Sequence, residues 1–276
     1  MNSLLVYCIL STALYSVHVL GLDINEIIDV EKLAKIVLPS AQEARVIGGQ
    51  VTTNSKLGGY LVALLYERDF VCGGTLLHEL IVLTAAHCFL DRMRTSDWIV
   101  VGGISRLDQR GIRRQVKNFI ISDKFEEDNM DMDVAVMLLK RPMKGRGIGK
   151  LELCSTILKP GNDLIVSGWG LTVATGSGPQ KLLRTVTVPV INKKNCRSAY
   201  QPLAKITDNM ICAAVLGKKD ACTFDSGGPL VYKKQVCGIV SFGIGCASKR
   251  YPGVYTDVFN VKEFIENSTK VLLSKC

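Results

Sequence analysis

Beyond Arg45 the apolar residues come in short runs. Tyr60 to Tyr66, Ile81 to Thr84, Trp98 to Val101, Val134 to Leu139, Leu164 to Ser167 and Val236 to Phe242 are the clearest. Gly-Gly, Gly-Ser or charged turns break them every 8 to 15 residues, the spacing of strands that reverse direction at each turn. The pattern predicts an all-β barrel or sandwich. Val261, Phe264, Ile265 and Leu272 recur at helical spacing, which predicts an amphipathic helix at the far end. Upstream, Ile24, Ile27, Ile28, Leu33, Ile36 and Val37 do the same among acids and lysines until Pro39, predicting a short helix there. Thr172 to Gln180, rich in Gly, Ser and Thr, reads as a surface loop. No internal repeat of roughly 20 to 50 residues is visible.

The first twenty residues have a different texture. Leu4 to Leu10 and Ala13 to Leu20 are apolar apart from Tyr7, Cys8, Tyr15, Ser16 and His18. Residues 1–21 are therefore read as a secretory signal peptide cut after Gly21. The alternative is a retained anchor, because no Lys or Arg precedes the run. No later stretch reaches the roughly 18 apolar residues of a membrane span, so the body is expected to be soluble, with no membrane partner. Secretion gives the ten cysteines a meaning, because thiols persist as bridges in an oxidising compartment. Cys8 leaves with the signal. None of the nine others shows the Cys-x-x-Cys spacing of a zinc or thioredoxin site, so at most four bridges form and one thiol is left over.

Charge excludes some classes and leaves others open. The 276 residues include 34 Lys and Arg against 25 Asp and Glu, and 47% are apolar, which argues against long disorder. Residues 22–45 hold five acids and three bases, so residues 46–276 carry 31 bases and 20 acids, a net +11. Arg113-Arg114, Lys218-Lys219, Lys233-Lys234 and Lys249-Arg250 are scattered and lack the interleaved aromatics of a nucleic-acid surface. They read as solvated charge, with no nucleic-acid partner. A polyanion-binding protein is the alternative this charge supports.

Candidate chemistry narrows quickly. After the signal only His78 and His87 remain. His78, in Leu77-His78-Glu79, reads as a surface residue, whereas His87 sits between small residues and a bridge-forming cysteine in Thr84-Ala85-Ala86-His87-Cys88. Phe224-Asp225-Ser226-Gly227-Gly228-Pro229 offers a serine in a turn that presents a hydroxyl and backbone amides to a reacting carbonyl. One serine among glycines is, by itself, an ordinary turn. No histidine follows residue 87, and Phe224 stands where a Gly-x-Ser-x-Gly elbow needs its first glycine, which excludes an α/β-hydrolase. Asp133, in Met132-Asp133-Val134-Ala135-Val136, lies between His87 and Ser226. His, Asp, Ser is the chain order of the chymotrypsin-type triad.

Arg45-Val46-Ile47-Gly48-Gly49, Thr84-Ala85-Ala86-His87-Cys88, Asp133-Val134-Ala135-Val136, Asp225-Ser226-Gly227-Gly228-Pro229 and Ser241-Phe242-Gly243 together resemble a trypsin-like serine endopeptidase, in order across residues 46–276. The resemblance implies two packed antiparallel six-stranded β-barrels with a C-terminal α-helix. It implies His87, Asp133 and Ser226 as the catalytic residues, with the backbone amides of Phe224 and Ser226 as the oxyanion hole. Asp220 would lie at the floor of a specificity pocket that attracts Arg or Lys. Gly243 and Gly253 would keep that pocket open, and Ser241, Phe242 and Tyr255 would line it. Residues 22–45 would be an activation propeptide, released by cleavage after Arg45 so that the new Val46 ammonium pairs with Asp225. The implied bridges are Cys72 with Cys88, Cys154 with Cys237, Cys196 with Cys212 and Cys222 with Cys246, leaving Cys276. Similarity to insect seminal-fluid members of the family implies an extracellular setting of that kind.

Implied partners are protein or peptide substrates with Arg or Lys before the cut, an activating protease or the enzyme itself, and protein inhibitors; the protein is expected to be a monomer. Three positions depart from the family pattern. Phe224 replaces a usual glycine, which restricts the backbone but keeps the amide donor. Phe242 replaces a common tryptophan. Cys237 lies further beyond the Ser-Gly-Gly-Pro turn than the family's cysteine does. The competing reading is a protease homologue that binds without cutting, and Phe224 is its only support. No cofactor is implied. Gly102-Gly103-Ile104-Ser105 lacks the acid of a calcium loop, so no metal is expected. Asn267-Ser268-Thr269 is a glycosylation sequon.

Overall fold

A computed structural model describes residues 49–170, 178–221 and 225–274. Short β1 (Gln50–Val51) and the single turn α1 (Asn54–Leu57) lead into six strands. These are β2 (Leu61–Tyr66), β3 (Asp69–His78), β4 (Ile81–Thr84), β5 (Trp98–Gly102), β6 (Ile112–Ile121) and β7 (Ala135–Leu139). They close into an antiparallel barrel in the order β2-β3-β4-β7-β6-β5. The predicted apolar runs become four of its strands, whose apolar side chains are mostly buried. Trp98, Phe89 and Phe119 stack in the interior at centroid distances of 5.0 and 4.4 Å.

The second sheet contains β8 (Glu152–Leu153), β9 (Asp163–Gly168), β10 (Arg184–Pro189), β11 (Met210–Ala213), β12 (Pro229–Tyr232), β13 (Gln235–Phe242) and β14 (Gly253–Asp257). Its order is β1-β10-β9-β12-β13-β14-β11, and β8 pairs in parallel with β13. Six of these strands form the half-barrel that answers the second expected barrel. No continuous ladder joins its ends. One bridge, Val190 to Ala213, does so, supported by Ile191 N–H donating to the Cys212 carbonyl at 2.8 Å. Pro189 ends β10 there and has no N–H with which to extend the pairing.

Helix α2 (Lys193–Tyr200) was not visible in the apolar pattern, because its sequence is mostly polar. Asn192 caps it by accepting from Lys194 N–H at 2.9 Å, and the Cys196–Cys212 bridge ties it to β11. The terminal helix α3 (Lys262–Leu273) follows the predicted periodicity, with Ile265 and Leu272 buried and Phe264 half-buried. It packs on β7. That strand is therefore covered on both faces, which explains why Val134 to Leu139 reads as one unbroken apolar run.

Cys72–Cys88, Cys154–Cys237 and Cys196–Cys212 are bridged as the resemblance implied. Cys154 reaches Cys237 because Cys154 N–H donates to the Val236 carbonyl at 3.0 Å where β8 meets β13. Cys246 is also disulfide-bonded; its expected partner Cys222 lies outside the described residues, as do Cys276, the predicted helix at 24–37 and most of the 172–180 loop.

Candidate active site

Strand register brings the histidine and the aspartate together. β4 and β7 run antiparallel with Thr84 opposite Ala135, so the chain leaving β4 and the chain entering β7 meet at one end of the barrel. His87 lies three residues beyond Thr84, on a 3-10 turn (Ala86–Phe89), and Asp133 lies two residues before Ala135. The Cys72–Cys88 bridge pins that turn to β3.

Asp133 is fully buried and has four hydrogen-bond contacts. Its Oδ1 accepts from the His87 backbone N–H at 2.9 Å, and its Oδ2 pairs with His87 Nδ1 at 2.8 Å. With Nδ1–H donating to the carboxylate, Nε2 keeps a lone pair for a proton. The Ser241 hydroxyl donates a short bond to Oδ2, and Thr256 Oγ1 donates to the Asp133 carbonyl at 2.8 Å. These last two donors come from β13 and β14, so the second sheet positions a carboxylate carried by the barrel. Two residues upstream, Asp131 accepts from Thr207 Oγ1 at 2.6 Å and from Asn209 Nδ2 at 3.1 Å. Met130 and Met132, on either side of it, have left-handed φ values of 60° and 52°, uncommon for such residues and concentrated at functional sites.

Ser226 occupies a turn clamped from both sides. Its carbonyl accepts from Gly73 N–H of β3 at 2.8 Å, and Gly227 N–H donates to the Val240 carbonyl of β13 at 2.8 Å. Gly227 has φ +74°, and an added Cβ would lie 2.2 Å from Thr84 Oγ1, so only glycine fits. Thr84 Oγ1 in turn donates to the Gly73 carbonyl at 2.9 Å. The neighbouring Asp225 is buried and accepts from Gly170 N–H at 2.8 Å. A Cβ at Gly168 or Gly170 would run into its carboxylate.

A cavity of about 240 Å³ opens beside Ser226, lined by Asp220, Ser241, Phe242, Gly243, Gly253 and Tyr255 among others. Asp220 is 2% exposed, and its Oδ1 has no hydrogen-bond partner. Burial pushes its carboxyl up to about 7, against the backbone groups of Ala221, Ala247 and Gly253, which pull it down. The Tyr255 hydroxyl is likewise buried without a partner, and burial raises its pKa well above the ordinary phenol. A Cβ at Gly253 would sit 2.4 Å from Asp220 Oδ1. The cavity is thus open over a buried acid whose hydrogen bonding is incomplete, the environment a ligand cation would satisfy.

The expected site residues inside the described region therefore fall into two linked sets, His87 with Asp133, and Ser226 with the Asp220 cavity. Ser241 belongs to both. Arg45, Val46 and Phe224 lie outside the described residues. His78 is half-buried at the end of β3, where its Nδ1 accepts from Leu80 N–H at 3.3 Å. Cys72, His87 and Cys88 place ligand-type atoms within 4.8 Å of one another, but both sulfurs are spent in the bridge.

The trypsin family profile matches residues 46–265. The chain belongs to the trypsin family. It is a serine endopeptidase, similar to Seminase of Drosophila melanogaster at 63% identity over 275 residues, covering all of this chain and 99% of that one. It is also similar to the vitellin-degrading protease of Bombyx mori at 39% over 84% of this chain and 88% of that one. Trypsin of Sus scrofa shares 34% over 83% of this chain and 98% of its own. No helix among the described residues is long and apolar enough to cross a membrane.

The sequence reading missed Thr256, Asp131, Thr207 and Asn209, and carried Thr84 only as part of a motif. An isolated threonine or asparagine in a strand or loop has no local signal. Its role appears only when the two sheets meet.

Proposed function

We propose that this chain is a secreted zymogen of a trypsin-like protease, with residues 1–21 a signal peptide, 22–45 a propeptide and 46–276 the protease domain. Cleavage after Arg45 frees the Val46 ammonium to pair with buried Asp225. Leaving one partner of such a pair missing costs about 3 to 5 kcal/mol, enough to keep the uncut chain's oxyanion hole poorly formed. In the active form Ser226 Oγ attacks the substrate carbonyl while His87 Nε2 takes its proton. Asp133 holds the imidazole tautomer and stabilises the imidazolium. The amides of Phe224 and Ser226 receive the oxyanion, each donor worth about 3 to 4 kcal/mol. His87 then delivers the proton to the leaving amine; in the second half His87 takes a proton from water as it attacks the acyl carbonyl and returns it to Ser226 Oγ as the acid leaves.

Asp220 selects Arg or Lys before the cut, and the observation that carries this reading is that this acid lines the cavity beside Ser226 with a buried carboxylate oxygen left without a hydrogen-bond partner. A cationic side chain entering there completes the acid's hydrogen bonding and favours its ionised form. The natural substrates are thus proteins with exposed basic residues, met outside the cell. The test is to cut the precursor at Arg45, confirm Val46 by N-terminal sequencing, and offer short peptide amides with Arg, Lys, Phe or Ala immediately before the amide bond to be cut. Arg and Lys peptides are expected to be cut at least about a hundredfold faster, consistent with a buried charge pair, and Ser226→Ala to cut none. Hydrolysis of no peptide by correctly processed protein overturns the reading in favour of a binding homologue. A Ser226→Ala precursor that stays uncut while the wild type processes itself identifies the activator as the enzyme.

A further inference from the structure

Basic residues that look scattered in the sequence meet in the fold. Residues 109–117 and 139–151 contain nine Lys and Arg and no Asp or Glu. The first segment includes most of β6 and the second is the turn after β7, and the two are laced together. Arg114 Nε donates to the Pro142 carbonyl at 2.7 Å, and Lys140 N–H donates to the Gln115 carbonyl at 2.8 Å. Arg110, Arg113, Arg114 and Lys144 surround a cavity of about 400 Å³ here, with exposed Arg141 and Arg146 on the same turn. Glu79 pairs with Lys144 at 2.7 Å. Among the described residues no carboxylate pairs with Arg110, Arg113, Arg141 or Arg146. Clustered like charge repels itself and draws an opposing polyion.

We propose that this patch binds a sulfated polysaccharide. A protein partner would draw its affinity from buried aromatic or aliphatic anchors, and none of the exposed large apolar side chains lies in either segment. Single-stranded nucleic acid would need exposed aromatic rings for stacking, and these segments contain no Phe, Tyr or Trp. A sulfated chain needs only spaced cations. The inference takes from the proposed secretion only the choice of sulfate over other polyanions. β7 runs from the Asp133 end of the barrel to the patch, about 17 Å of strand, so a bound chain leaves the cavity at Ser226 open.

The test uses the Ser226→Ala chain, cut at Arg45 by an added protease, on immobilised heparin. It is expected to be retained at 0.15 M salt. Arg110→Ala/Arg113→Ala/Arg141→Ala should elute much earlier and lower the slope of log Kd against log salt by about two to three, as loss of three ionic contacts does. Lys159→Ala/Lys194→Ala/Lys205→Ala removes the same charge from exposed sites elsewhere and should lower the slope by less than one. Unfolding temperatures equal to the parent's establish that both variants are folded. Equal effects of the two triples mean retention by net charge, and overturn the proposal. So does displacement by polyglutamate or duplex DNA at lower charge equivalents than heparin, or no retention at all. Because the protein tested is catalytically silent, failure here is separate from failure of the protease reading.

Discussion

Asp220 is a costly residue to bury. The folded protein holds its proton up to about pH 7, whereas an unfolded chain releases it near pH 4. Between those values the unfolded state binds fewer protons, so this residue lowers native stability as pH rises from about 4 to about 7. The corresponding penalty above pH 7 is on the order of 4 kcal/mol. Asp220→Asn, made on Ser226→Ala to prevent self-digestion, should therefore unfold at higher urea than its parent at pH 7.5 and at nearly the same urea at pH 4. A gain equal at both pH values would mean that the carboxyl is not the source. The residue was legible as a pocket acid only through the family pattern, six positions before Ser226. Its missing hydrogen-bond partner depends on burial beneath Gly253 and Tyr255, which no local sequence feature records.

At the scale of elements, Asp133 belongs to the approach to β7 but is held by β13 and β14. Thr256 Oγ1 is buried and donates to the Asp133 carbonyl, so removing it leaves that acceptor unsatisfied, at a cost of about 1 to 3 kcal/mol. We expect Thr256→Val to lower kcat about tenfold with KM within twofold, and Thr256→Ser to restore kcat. This pattern separates positioning of Asp133 from general loss of packing, which the smaller serine would not repair. Equal kcat values for the valine and serine variants would remove Thr256 from the positioning role. The strands themselves were largely legible, since apolar runs bounded by turns predict them. Helix α2 was not, because its apolar stripe is only Cys196, Ala199 and Tyr200, too short to show a period, and it packs on residues remote in sequence such as Met210 and Val254.

For the whole molecule, Cys154–Cys237 closes a sequence separation of 83 residues around the second sheet. Loop entropy assigns such a link about 4 to 5 kcal/mol. Cys154→Ala/Cys237→Ala should therefore melt roughly 10 to 15 °C lower in a calorimeter, at the 2 to 4 °C per kcal/mol typical of domains near this size. A drop under about 3 °C would mean that the β8–β13 pairing and the surrounding core hold the region without the bridge. The two-barrel expectation also belongs to this scale. The first barrel closes by continuous pairing, and the second by the isolated Val190–Ala213 bridge with its flanking Ile191–Cys212 and Ala214–Pro189 hydrogen bonds, because Pro189 stops β10.

The amino-acid sequence alone determined what is local: short strands from their apolar runs, a terminal helix from its period, His87 beside a bridging cysteine, and Ser226 in a glycine turn. Burial and long-range register decided the rest. Ser241 and Thr256 lie 108 and 123 positions from the aspartate they hold, and two basic segments meet only because β6 pairs with β7. Periodicity shows which face of a strand turns inward, but contacts between remote residues exist only once the sheets have closed, and there the geometry of this site was set.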